Sequence, residues 1–195
     1  MAIARTPVFK RCDYLGIDPI VLGYTHKPSV RRKQKRRKKI SEYGLQLKEK
    51  QKVKFVYGVL EKQFKLTYQR AEKMSGMTGE NLLRLMEQRF DNIVYRLGFA
   101  TTRAQGRQLV NHGHLQINGK RVDIPSIRLK VGDEITVKPS VAQQIKLRRL
   151  STNRAIPSWI SFNEENFVAK IVGEPGRGDI DFDVTERAIV ELYSK

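Results

Sequence analysis

Apolar residues recur at helical spacing through the middle of the chain and at strand spacing after Gly113. Val53, Val56, Leu60 and Phe64 follow at intervals of three, four and four, one face of an α-helix. Lys54, Lys62 and Lys65 project from roughly the opposite side. Phe55 and Leu66 lie off the apolar stripe and Gly58 sits inside it, so either the helix breaks near Gly58 or it is buried on two sides. The aromatics Phe55, Tyr57, Phe64 and Tyr68 read as helical core rather than as platforms for stacked bases. Met74 to Met77 is a connection, and Thr78 caps a second helix with Glu80 in its first turn. Leu82, Met86, Phe90, Ile93 and Leu97 repeat at four, four, three and four, which predicts one amphipathic helix ending at Gly98.

A compact motif follows. Thr102 and Gln105 fit a capping box, and a short helix is predicted from Arg103 to about Asn111. Its apolar side holds Gly106, Leu109 and Val110, while Arg103 and Arg107, at i and i+4, are expected on a neighbouring exposed side. Gly113 ends it. Leu115 and Ile117 alternate as a strand, Asn118-Gly119 is a hairpin turn, and Lys120 to Val122 begins the return strand. Gly132-Asp133 makes another turn before Ile135 and Val137. Beyond Pro139 the pattern gives a basic helical piece with Lys146, Arg148 and Arg149, then Pro157 and Trp159. The glycines at 173, 176 and 178 form an acidic turn, and Val184 to Tyr193 fits strand or helix.

Residues 1 to 40 break this regularity. Pro7, Pro19, Pro28, Gly16 and Gly23 interrupt them, and nine of the thirteen residues from Lys27 to Lys39 are Lys or Arg with no acid. Self-repulsion and scant apolar surface predict an arm that orders only against an anionic partner. The charge excess is wider than the arm. Residues 1–75 carry 20 basic side chains against six acids and residues 76–154 carry 14 against six; only the tail reverses, with four against eight. A net charge of +18 calls for a polyanion, because each neutralised phosphate releases condensed counterions. Mixed-charge surfaces tuned for solubility alone carry a net of about 2 to 8. These numbers point to nucleic acid.

The single cysteine, Cys12, excludes a disulfide framework within the chain and suggests a reducing compartment. No apolar run approaches the roughly 18 residues of a membrane span, and the N-terminal residues lack the continuous apolar stretch of a signal peptide. A cytoplasmic protein with no membrane partner is expected. Catalytic signals are weak. His112, His114 and Asp123 could be drawn as a metal or acid–base cluster, but two histidines flanking a turn read better as a solvent-facing or phosphate-contacting pair. Gly113 to Lys120 is one residue too long for a phosphate loop, and Arg121 stands where Ser or Thr would bind magnesium. The acids at 179, 181 and 183 lack a calcium-loop pattern. No cofactor or metal is expected, and no room remains for the catalytic domain of an RNA-modifying enzyme.

The segment Arg103-Ala104-Gln105-Gly106-Arg107-Gln108-Leu109-Val110, with Gly113-His114-Leu115-Gln116-Ile117-Asn118-Gly119, resembles the S4-type RNA-binding module. Ser41-Glu42-Tyr43-Gly44, Leu47 to Lys52, Tyr57-Gly58-Val59, Thr78 to Asn81, Asp91 to Arg96 and Ile189 to Lys195 extend the likeness. Together they resemble the bacterial-type family of small-subunit ribosomal protein four. The resemblance implies an α+β fold: a helical domain over 41–88, completed by about 180–195, an inserted RNA-binding module over 89–152, and a connection over 153–179. It implies a primary binder of the 5′ domain of small-subunit ribosomal RNA that nucleates assembly. It also implies a place beside proteins three and five near the messenger entry channel, an effect on accuracy and, in some members, repression of their own messenger. Expected RNA contacts are Arg31, Arg32, Lys33, Lys35, Arg36, Arg37, Lys38 and Lys39 of the arm, Lys48, Lys50, Lys52 and Lys54, and Arg96, Arg103, Arg107, His112, His114, Lys120 and Arg121. Many members hold zinc on four cysteines of the arm, which Cys12 and His26 alone cannot supply. Gly106 replaces a common alanine, at roughly 1 kcal/mol of helix propensity.

Overall fold

Gly58 adopts a left-handed backbone (φ 62°) and splits the first apolar stripe into α2 (Glu42–Val56) and α3 (Glu61–Glu72). Of the two readings of that stripe, the break is the one found. Tyr57, Phe64 and Tyr68 are buried as core residues, and Phe55 is half-buried. The structure is a computed structural model that describes residues 7–24, 40–152 and 154–194. The chain divides into two compact units, residues 1–66 with 181–195, and residues 67–180, the boundary falling inside α3.

In the first unit, residues 7–24 depart from the expected arm. They form α1 (Val8–Leu15) and a 3-10 turn at Pro19–Leu22, whose first free N–H, on Ile20, is accepted by the Asp18 side chain at 3.0 Å. Cys12, Leu15, Ile17 and Leu22 are buried, and Arg11 Nη2 donates to Gln51 Oε1 at 3.2 Å across to α2. Eight residues make a marginal helix alone; the tertiary surface of α2 orders this one. The basic run of residues 25–39, including the expected contacts Arg31 to Lys39, lies outside the described residues. The ambiguous C-terminal stretch is a helix, α8 (Glu186–Tyr193). It buries Ile189, and Gln46 Nε2 of α2 donates to its Glu191 Oε2 at 3.0 Å. Phe182 meets Tyr57 edge-on and Tyr193 stacks on Phe64.

The second unit corrects the longest predicted helix. It is two helices, α4 (Thr78–Glu87) and α5 (Phe90–Arg96), with Arg89 extended between them at φ −67°, ψ 137°. Tertiary partners replace the helical hydrogen bonds at the break. Phe90 N donates to Ile127 O at 2.8 Å, and Leu129 N donates to Gln88 O at 3.0 Å. The apolar spacing survives because both helices bury the same kind of face. Thr78 is the first helical residue rather than the cap; Met77 occupies the cap position with no side-chain bond. Gly98 closes α5 in the left-handed region, as predicted (φ 74°).

Thr102 accepts from Gln105 N at 3.2 Å and opens α6 (Arg103–Asn111), but the Gln105 carboxamide reaches back to Thr101 N rather than to the cap itself. A Cβ on Gly106 would stand 2.8 Å from the Asp91 carbonyl oxygen, closer than real side chains come. The glycine therefore lets α6 approach the start of α5. Gly106→Ala is expected to gain none of the roughly 1 kcal/mol of helix propensity, because the helices must part to admit the methyl. Thermal denaturation checks this, and a rise in Tm would mean that they part freely.

The strands β1 (Leu115–Ile117), β2 (Lys120–Arg121) and β3 (Glu134–Val137) follow as the alternation predicted. Asn118 and Gly119 turn the hairpin with φ of 49° and 75°, the left-handed pair that a two-residue turn needs. Asn118 also ties it to β3, its Oδ1 accepting from Glu134 N at 2.9 Å. After α7 (Pro139–Thr152) come β4 (Ile160–Asn163) and β5 (Val168–Ile171), which the reading of 153–179 as a connection did not anticipate. The sheet is antiparallel throughout, in the order β2-β1-β3-β5-β4, with Ile135 opposite both Ile117 and Ala169. Its inner face packs Leu115, Ile135, Ala169 and Ile171 against Ile93, Val94 and Leu97 of α5, Val110 of α6 and Ile145 of α7. The fold is α+β.

Candidate nucleic-acid interface

Two of the expected RNA contacts on α5 and α6 are buried and a third is half-buried. Glu87, at the end of α4 and 0% exposed, accepts from Arg96 Nε and Nη2 at 2.9 and 2.7 Å. Asn92 Nδ2 donates to the same carboxylate at 2.7 Å, and its Oδ1 accepts from Arg103 Nε at 2.8 Å. The Arg103 guanidinium lies over the Tyr95 ring, 4.3 Å from its centroid, and Arg154 lies over the same ring at 3.6 Å. Asp91, also buried, accepts from Arg89 at 3.1 and 2.9 Å and from Arg107 at 2.9 and 2.7 Å. Arg96 and Arg103 are thus buried members of a polar network joining α4, α5 and α6, and Arg107 is a half-buried partner of Asp91. The expected display of Arg103 and Arg107 beside the helix start is corrected. A guanidinium beside buried carboxylates gains more from charge-assisted bonds than from water.

The lysines of α2 are also committed in part. Lys52 is buried, pairing with Glu49 at 2.8 Å and donating to Asp183 O at 3.1 Å. Lys50 and Lys54 both reach Glu61, at 2.7 and 2.9 Å. Burial would raise the Glu61 carboxyl, but hydrogen bonds from these two lysines outweigh it and hold the carboxyl below its usual range. Lys48 is half-buried beside Gly16.

Of the remaining four sequence candidates, His112, His114 and Arg121 converge, while Lys120 is exposed next to Arg121 in β2. The last turn of α6 and the start of β1 present His112 and His114, whose rings meet edge to face with centroids 5.6 Å apart. Between them Gly113 (φ 64°) leaves room for the Arg121 guanidinium of β2; a Cβ there would overlap its Nε. Lys120 and Arg121 are exposed. Burial, then the positive charges of His112, Lys138, Arg121 and Arg148, push the His114 imidazole below its ordinary pKa. Lys138, held by a backbone bond from its N–H to His114 O, and Arg148 of α7 are additions that the sequence reading missed. Their only sequence signal was charge in a strand end and a helix; the pairing of β1 with β3 brings the first of them to His114.

Burial and the charges of Arg70 and Arg89 likewise lower the Arg128 guanidinium below its ordinary value. Arg128 lies between β2 and β3, bridged through its backbone to Arg89. Among the described residues no group of three or more His, Cys, Asp or Glu side chains is placed to hold a metal. Cys12 is buried, and that burial, followed by Asp13 and Asp18, raises its thiol pKa. No described helix is long and apolar enough to cross a membrane.

Comparison with known proteins decides the family. Residues 10–87 match the ribosomal protein S4/S9 N-terminal domain and residues 88–135 match the S4 domain. Along the whole of both chains the sequence is 47% identical to the small ribosomal subunit protein uS4 of Lachnospira eligens. The chain belongs to the uS4 family. It is also 44% identical to the uS4 protein of Fusobacterium nucleatum, again over the full length of both. It shares 56% of 160 residues with small ribosomal subunit protein uS4A of Clostridium perfringens, covering 82% of this chain and 78% of that one. The turn from His112 to His114, with Lys120 and Arg121, falls within the S4-domain match, as does the Glu87-linked network from Asp91 to Arg107.

Proposed function

We propose that this chain is an RNA-binding structural constituent of the small ribosomal subunit, acting in the cytoplasm and not as an enzyme. Its family is one of ribosomal structural proteins. The observation that carries the RNA contact is the convergence of His112, His114, Arg121, Lys138 and Arg148 on one turn of the S4 domain. Five cationic or protonatable side chains from α6, β1, β2, the end of β3 and α7 are fixed by rigid elements. Arginine forks so held each span two phosphate oxygens and follow the backbone shape of a folded RNA. The basic run of residues 27–39 adds further positive charge.

The partner is the 5′ domain of small-subunit ribosomal RNA, where the chain nucleates assembly. Likeness to the family further supports a place near the messenger entry channel, beside small-subunit proteins three and five, with an effect on accuracy and binding to its own messenger. The direct test is cosedimentation with small subunits through a high-salt wash, paired with filter binding to a 5′-domain transcript. Loss from the subunits and no retention of the transcript would overturn the reading.

The histidines add a pH dependence. Because the folded chain holds His114 below its ordinary pKa, it is neutral near pH 7 and the free protein binds its proton weakly. A phosphate at the turn favours the imidazolium, so RNA binding takes up a proton. Affinity is expected to rise as pH falls from about 8 to about 6, and to level off below the pKa of the free protein. His112, Lys138, Arg121 and Arg148 are the other basic groups that face it. His114→Gln should flatten the profile. An unchanged profile in that variant would remove His114 from the contact.

A further inference from the structure

We infer that Arg70, Arg89 and Arg128 form a second seat for backbone phosphates of the bound RNA, a reading that rests on the RNA-binding role above. The three arginines come from separate segments. Arg70 is near the end of α3, Arg89 lies in the break between α4 and α5, and Arg128 is in the connection from β2 to β3. An antiparallel bridge sets Arg89 and Arg128 directly opposite each other, fixed on either side by the bonds from Phe90 N to Ile127 O and from Leu129 N to Gln88 O. Like charges in that relation repel, and the lowered pKa of Arg128 reflects first its burial and then the charges of Arg70 and Arg89.

The acid that Arg89 meets is already shared. Asp91 accepts four N–H groups, two from Arg89 and two from Arg107. Among the described residues neither Arg70 nor Arg128 makes an ion pair. A guanidinium does not shed its proton under these conditions, so the fold keeps three positive charges together of which only that of Arg89 is paired with an acid among the described residues. A phosphodiester relieves the repulsion and receives charge-assisted bonds from forks held at a fixed spacing. The Asp91 pairs orient Arg89 from behind, so it is a positioning residue here, while Arg70 and Arg128 supply the contact.

The test modifies accessible arginines with phenylglyoxal on the full chain, free and bound to a 5′-domain transcript, with retention on filters as proof of binding. Arg70 and Arg128 should react in the free chain and be protected in the complex. Arg70→Gln with Arg128→Gln should bind about tenfold more weakly, with the logarithmic salt slope shallower by about two. A retained complex in which both arginines still react overturns this inference and leaves the RNA-binding role standing. No retention at all takes down both. Protection in whole small subunits but not with the transcript assigns the cluster to an acidic protein neighbour and also overturns it.

Discussion

Replacing Glu87 with alanine is expected to destabilise the unit spanning residues 67–180 by about 3–5 kcal/mol, the usual cost of leaving a buried charge without its partner. Glu87 is 0% exposed and pairs at 2.7 Å with Arg96, which is itself buried. It also accepts from Asn92, which in turn orients Arg103. Its loss therefore takes the carboxylate from one buried guanidinium and loosens a second. Removing the pair together, as Glu87→Leu with Arg96→Met, should cost much less than the single change, since two buried charges and their desolvation leave at once. Urea denaturation followed by circular dichroism makes the comparison. A single alanine variant as stable as the parent would show that water or another donor reaches Arg96 readily.

That network marks where sequence reading stops. The turn at Asn118-Gly119, the cap at Thr102 and the left-handed Gly98 and Gly113 were legible because each depends on residues next to it in the chain. The α+β class was implied by the family resemblance, and the switch of apolar spacing from helical to alternating after Gly113 agrees with it. The break at Gln88-Arg89 was invisible, because what ends α4 is a hydrogen-bond partner forty residues away, in the segment around Ile127 and Leu129. The short strands β4 and β5 were hidden for a similar reason: four residues apiece, they become strands by pairing with each other and with β3.

The site shows the same division. Charge is written in the sequence, but whether a charge faces solvent is not. Arg103 and Arg107 stand at i and i+4 like a phosphate-binding pair, yet Asn92, Tyr95 and Asp91 claim them once α6 lies on α5. Arg96 ends an amphipathic run as an exposed cation would, and Glu87 claims it. His112, His114 and Arg121 come together where the sequence suggested, because a tight turn leaves little room to bury them. Lys138 and Arg148 were missed because only the sheet and α7 bring them to that turn.

These corrections move the strongest test of RNA binding away from α6. Arg121→Gln together with Lys138→Gln is expected to weaken binding to a 5′-domain transcript at least tenfold while leaving the fold intact. Both side chains lie on the His114 face, Arg121 is exposed and Lys138 half-buried, and neither makes an ion pair among the described residues. Each charge-assisted phosphate bond is worth about 1.5 to 3 kcal/mol, so even the smaller figure, taken once, accounts for tenfold. The logarithmic salt slope should also become shallower by about one to two, one counterion for each lost phosphate contact. Arg103→Ala behaves differently: it opens the Asn92 and Tyr95 contacts, and its first effect should be on stability rather than on the salt slope. Filter binding across a salt series separates the two, with circular dichroism as the folding control. If the folded Arg121, Lys138 double variant kept its affinity and its slope, phosphate would have to be held elsewhere, and the turn from His112 to His114 would lose its role.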